Sequence, residues 1–208
     1  MIDYFLRYHG RLLTALGEHL FILTVTTAIS LVIASVLTLI LHRAGDKAER
    51  AALRIAGAIY AIPSLALFAL LIPLLGLGVK TAVFVLTLYN QFLLLRNFLS
   101  GFKSVPEQLV EAGEGMGMNY FQIITKIKIP LSAPIIIAGL RLAIVSTIGI
   151  GAIAAVINAG GIGGVLFDGL RTNNPVKIVW GAILSAVLAL GANAALLKAE
   201  NASRSKIN

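Results

Sequence analysis

The sequence predicts an all-α integral membrane protein with five transmembrane helices, and three observations carry that reading. Of 208 residues, 58% are hydrophobic and only 12% charged, too thin a polar shell for a soluble domain of this size. The stretches 20–41, 55–79 and 178–197 hold no Asp, Glu, Lys, Arg or His. At 1.5 Å per helical residue, 20–41 reaches about 33 Å, enough to cross a hydrocarbon core of about 30 Å. The 17 Lys and Arg then fall unevenly between the stretches.

The first 19 residues mix Asp3, Arg7, Arg11 and Glu18 with apolar positions, and the run after them is too long for the core of a signal peptide. The first span is therefore expected over about 20–41. The second covers about 55–77, with Pro63 and Pro73 as kinks of the kind packed membrane helices accept. The third, about 81–102, includes Arg96, whose stem is long enough to snorkel. The fourth covers about 131–157 and contains Arg141; the fifth covers about 178–197. The whole chain, 1–208, reads as one transmembrane domain with a polar loop over 103–130.

Charge sets the expected orientation. Arg43, Lys47, Arg50, Arg54, Arg96, Lys103, Lys126, Lys128, Lys198, Arg204 and Lys206 belong to one set of loops, while Arg7, Arg11, Lys80, Arg171 and Lys177 belong to the other. The excess places the first set in the cytoplasm, the N-terminus outside and the C-terminus inside. The net charge of +8 is explained by those loops, with no nucleic acid required.

Several chemistries are excluded. Without cysteine there is no disulfide frame, thiolate zinc site, catalytic thiol or iron–sulfur cluster. His9, His19 and His42 are scattered, with no helical zinc pair, and no phosphate-binding loop of the G-x-x-x-x-G-K-[ST] form occurs, so no metal or ATP site is expected in this chain. Gly149–Ala154 fits a loose G-x-G-x-x-A, but no strand precedes it. Asp168 and Glu18 have no carboxylate partner at catalytic spacing, which argues against a membrane-embedded enzyme. A passive channel is the other rival.

Small residues recur every fourth position at Gly139, Ala143, Thr147, Gly151, Ala155, Ala159 and Gly163, and again at Gly181, Ser185 and Ala189. Such stripes let helices approach closely, within the chain or against a second subunit. The glycines of 159–164 suit either a turn or a flexible gate. Arg141 either faces a cavity or partner, or snorkels to the interface. Tyr89, Asn90 and Gln91 are candidate path-lining groups or interhelix bonds.

The loop 103–130 is patterned. Ser104 to Glu107 has the form of a capping box opening a short helix, with Val105, Leu109, Ala112 and Met116 on one apolar stripe. Glu107, Glu111 and Glu114 take the polar side, and Gly115 and Gly117 end the helix. Asn119 with Gln122 opens a second short helix, with Phe121, Ile124 and Thr125 on one side, limited by Pro130. Two short helices joined by a glycine bend are expected on the inner membrane face.

Within this loop, Glu111-Ala112-Gly113, three residues, Gly117, nine residues and Ile127-Lys128-Ile129-Pro130 closely resemble the E-A-A-x3-G-x9-I-x-L-P signature of permease subunits of ATP-binding-cassette importers. Gly113 and Ile129 are the two departures. Glu18-His19-Leu20, Ile62 to Ala66, Leu95-Arg96-Asn97, Ala138 to Arg141 and Ala159 to Gly163 resemble the glycine betaine/carnitine/choline branch, over about residues 15–198. The resemblance implies a type I importer permease fold in a bacterial or archaeal inner membrane. It implies that Glu111, Ala112, Gly113, Gly117, Ile127, Ile129 and Pro130 form the ATPase-coupling segment. It further implies a non-enzymatic subunit with no cofactor of its own. ATP and Mg would be bound by a partner ATPase dimer. A second permease, identical or paralogous, and a separate extracytoplasmic solute-binding protein complete the assembly. An amino-acid permease is the alternative within the family. The chain's 15 Phe, Tyr and Trp show no tight cluster in sequence, so a high-affinity cation cage is expected on the binding protein instead.

Overall fold

In the computed structural model, which describes residues 2–205, every regular element among the described residues is helical. Lys206, counted above with the cytoplasmic charges, lies outside them.

The first helix, α1 (Ile2–Ala44), is unbroken. It starts well before the apolar run, because Leu12 and Ala15 of its mixed first part pack on Val165 with Tyr4, Trp180 and Leu184 around them. Tertiary burial there offsets two interior glycines, Gly10 and Gly17, each costing about 1 kcal/mol in a helix. Gly45, at φ +90°, turns the chain into α2 (Asp46–Ala61).

The stretch 55–77, expected as one kinked span, is instead broken. α2 and α3 (Ser64–Leu75) meet at 95° across Ile62 and Pro63. Proline lacks the N–H and pushes its predecessor to extended backbone, and Ile62 sits at φ −67°, ψ 130°. Pro73 stays inside α3. Gly76 and Gly78, both at positive φ, then lead into α4 (Val79–Lys103).

α4 is the central post, packed against α1, α2, α3 and α7. Around one half lie Ile22, Phe68, Val85, Leu86 and Ile157; around the other lie Ala34, Leu94, Leu95, Phe98 and Ala143. After α4 come α5 (Glu107–Gly115), α6 (Tyr120–Ile123), a π-turn (Ile124–Lys128) and α7 (Ile129–Ile153). A 3₁₀ turn (Ala154–Ile157), α8 (Ile162–Arg171) and α9 (Pro175–Arg204) complete the chain.

Pro130 does not limit the second short helix. α6 passes through the π-turn straight into α7, with the Ile129 N–H reaching back five residues to the Ile124 carbonyl. Proline at 130 can donate to no carbonyl, and its ring would strike that of Lys126 in a regular α-helix. One wider turn accommodates the ring and lets the helix continue.

The small-residue stripe of α7 is spent inside the chain. Ala143 and Thr147 are buried, Gly139 faces Asn97, Gly151 faces the His19 ring, and Gly163 rests on the Ala152 carbonyl. The 159–164 glycines form a turn, with Gly160 and Gly161 near φ +80°, that starts α8. By length and composition, four helices among the described residues are suited to crossing a membrane, or five when the bent α2–α3 pair is taken as one span.

Candidate functional site

The candidate coupling site is the hairpin between α4 and α7. Its first arm, α5, begins at Glu107 behind Pro106 without a side-chain cap. The expected capping box does not form there: Ser104 is still held in the last turn of α4, its N–H on the Ser100 and Gly101 carbonyls and its hydroxyl donating to Gly101 O at 2.7 Å. The exit from α5 follows the sequence closely. Met118 N–H donates to Gly113 O (3.0 Å) and Gly117 N–H to Glu114 O (2.9 Å), the paired bonds of a Schellman motif. Gly117 sits at φ +80° with open space around its Cα, so backbone conformation rather than crowding requires glycine. Asn119 and Gln122 then form a reciprocal capping box, each side chain accepting from the other's N–H at 2.9 Å.

The two arms close on each other at Gly113, which is buried, not outward. A Cβ there would come within 2.7 Å of Ile127 Cδ1 and 3.4 Å of the Met118 sulfur. Glycine in place of the signature's second alanine therefore tightens the hairpin, and Ile127 is the residue it receives. Ile124 likewise turns into the interior, whereas Phe121 and Thr125 remain exposed. Val105 anchors the root. What faces out is Leu109, Ala112 and Met116, flanked by Glu107, Glu111 and Glu114, with Ile129 and Pro130 exposed on the return side. Met116 at 72% exposure and Phe121 at 69% are among the most open large apolar side chains of the chain.

The other site residues go elsewhere. Tyr89 is buried and donates its hydroxyl to Ile62 O at 2.6 Å, satisfying a carbonyl beside the α2–α3 break. Asn90 exchanges bonds with Thr147 (2.9 and 3.1 Å) and reaches Ser30, tying α4 to α7 and α1. Gln91 donates to the Ser30 and Thr87 carbonyls. Arg141 meets Glu200 at 3.2 Å and Asn193 at 3.1 Å, joining α7 to α9. These four bond within the chain, and the structure does not bring them together as a lining. Nor do aromatics stay scattered: Tyr60 meets Tyr89 edge-on at 5.6 Å and Phe92 at 5.2 Å. Tyr60 thus packs on both other rings, edge-on to one and tilted against the other.

Two associations escape sequence reasoning. Glu18 accepts from the Gly161 N–H at 2.8 Å and so caps α8, while His19, 2% exposed, lies against Gly151 and Gly161. Both segments stand out in the sequence, but nothing there links them. The second is a charged cluster around Glu49, described below.

A helical bundle with this connectivity and a polar hairpin between its central helix and the next has the fold of type I importer permeases. The inward-facing methionine transporter MetNI shares it, with a TM-score of 0.86 over 95% of this chain and 98% of that one, at 20% identity. The chain belongs to the family described as binding-protein-dependent transport system inner membrane component, matched over residues 30–197. It is 36% identical to the glycine betaine/carnitine/choline transport system permease protein OpuCB of Bacillus subtilis, covering 87% of this chain and 83% of that one. To the carnitine transport permease protein OpuCB of Listeria monocytogenes it is 34% identical, covering 96% and 91%. It is thus a multi-pass inner-membrane subunit of an ATP-binding-cassette importer, in the branch of these permeases, and not an enzyme. ATP hydrolysis resides in a separate chain.

Proposed function

We propose that the chain forms half of the translocation path for a quaternary-ammonium osmoprotectant such as glycine betaine, carnitine or choline. The names of its relatives support the solute class, and its uptake is tested by comparing labelled glycine betaine, carnitine and choline with an amino acid in the same vesicles. The path runs between this subunit and a second one, identical or paralogous; the internal bonding of Tyr89, Asn90 and Arg141 supports a path outside the single chain. A separate binding protein delivers solute from the side of the N-terminus, and an ATPase dimer holding ATP and Mg acts on the cytoplasmic side with the C-terminus. The excess of Lys and Arg on the hairpin side supports that orientation.

The observation that carries the coupling role is the outward face of α5. Leu109, Ala112 and Met116 are exposed on a short helix whose angle is fixed by the Gly113–Ile127 contact and the Gly117 turn. In this reading α5 docks in a groove of the ATPase with Glu111 against a basic side chain, Ala112 allowing close approach, and Gly117, Ile127, Ile129 and Pro130 holding the arms. Glu111→Lys is expected to leave membrane abundance intact while abolishing ATPase pull-down, solute-stimulated hydrolysis and uptake. Retention of all three would leave α5 as a helix resting on lipid headgroups.

A further inference from the structure

One buried carboxylate has no part in the site so far. Glu49, on α2, is 3% exposed. Its Oε2 meets Lys103 Nζ at the end of α4 (2.6 Å), and its Oε1 meets His42 Nδ1 near the end of α1 (3.2 Å). The same imidazole continues to the hairpin's return arm, with Nε2 2.6 Å from Lys128 Nζ. An ammonium only donates and a carboxylate only accepts. The ring therefore accepts from Lys128 at Nε2 and donates from Nδ1–H to Glu49, giving one directed chain from Lys128 through His42 to Glu49. Asp46 supports it from the outside, 2.7 Å from Lys103, which holds its carboxyl below the usual range. Arg43, beside His42, lies 5.8 Å over the ring of Tyr120 on the same return arm.

Three elements thus converge on one side chain of α2, α1 and α4 directly and the return arm through His42. Burying such a cluster adds little stability over an apolar residue of the same size, because desolvation opposes the attraction. What it adds is direction: the imidazole between Lys128 and Glu49 accepts at one nitrogen and donates from the other. α2 is also the element that ends at the 95° break before Pro63, so turning it moves the joint with α3.

We infer that Glu49 is a positioning residue of the transport cycle, holding the hairpin's return arm, the end of α1 and the end of α4 to α2 as one body. Motion imposed on the hairpin then turns α2 rather than bending the hairpin's root. This rests on the docking of α5 against the ATPase proposed above, and the two can fail separately.

The test uses the complete transporter in proteoliposomes. Glu49→Gln keeps the shape but offers one acceptor oxygen, so it cannot serve both Lys103 and His42; Glu49→Asp keeps the charge. The Gln variant is expected to retain ATPase in pull-down yet take up about tenfold less labelled glycine betaine per ATP hydrolysed, with partial recovery in the Asp variant. Because the chain has no cysteine, spin labels at Gln108→Cys and Lys47→Cys report the distance between α5 and α2. That distance is expected to be the same in nucleotide-free and vanadate-trapped wild type, and to differ between the two states in Glu49→Gln. Should Glu49→Gln fail to accumulate, Lys128→Met carries the same expectations, since it removes the hairpin's end of the chain. Wild-type uptake per ATP in the variant that accumulates, or a distance in wild type that changes on trapping, would overturn the inference. Loss of pull-down in none of these, Glu111→Lys included, would instead overturn the docking.

Discussion

At the hairpin end, α1, α2, α4 and the return arm meet on side chains: Glu49, His42, Lys103 and Lys128. About 35 Å away along α1, the opposite end is built on backbone. There Glu18 caps the Gly161 N–H, the Gly78 N–H donates to Ile157 O at 2.7 Å, and Gly163 rests on the Ala152 carbonyl. Charges are present at that end too, with Asp168 2.9 Å from Arg11 and 3.0 Å from Lys177, but Arg11 is half exposed and brackets the turn from outside. The directed chain from Lys128 through His42 to Glu49 ties the hairpin to α2 so that the two move together, whereas a carbonyl against a Cα fastens helix to helix with no room to shift. One end is thus suited to transmitting displacement and the other to resisting it.

The largest effect on that contrast should come from Gly163→Val. Its Cβ would fall on the Ala152 carbonyl, which belongs to a helix and cannot rotate away. A cost of at least about 3 kcal/mol, the upper end for overpacked cores, is expected. The readout is loss of monodisperse protein on size-exclusion in detergent; a variant purified with a wild-type Tm would show that backbone approach does not fasten this end.

A smaller energetic effect with a large functional one is expected at Gly117, where space is open and only φ is demanding. Valine there costs about 1–3 kcal/mol of local strain, whereas asparagine tolerates the left-handed region. Gly117→Val should reach the membrane in normal amount and lose uptake, and Gly117→Asn should transport nearly as wild type. Equal behaviour of the two would remove the bend from the account of the hairpin.

The smallest effect should come from Asp168→Asn, below about 1 kcal/mol because its partners are partly in solvent. Its bond to Lys177, then the charges of Lys177 and Arg11, hold the Asp168 carboxyl below the usual range. A carboxylate depressed in the fold contributes stability above its unfolded value and loses it as pH falls through the folded one. The Tm gap between wild type and Asp168→Asn should therefore be constant from pH 8 to 5 and close only below about pH 4. A gap that closes near neutrality would assign the stabilisation to another group.

Local signals were legible where local physics decides. Gly117 had to lie at positive φ because a helix ended and another began within a few residues, and Asn119 with Gln122 formed the box their spacing allows. Ser104 had the same kind of spacing and failed, since α4 kept it in its last turn. Pro63 broke its helix outright while Pro130 was absorbed by a wider turn. The difference depends on whether neighbouring elements offer the freed groups a partner, as Tyr89 does for Ile62, and a proline in a sequence does not carry that information.

By itself the sequence determined the membrane class, the apolar helices, the hairpin with its glycine bend and the family, because apolar length, charge placement and turn chemistry act within a few residues. The tertiary structure decided which face each side chain took. Gly113 turned inward onto Ile127, Arg141 found Glu200, Tyr89 and Asn90 bonded inside the chain, and Glu49 rather than its neighbours became the point on α2 where three other elements meet. Those outcomes follow from contacts between residues on different helices, whose energies exist only once the helices have packed.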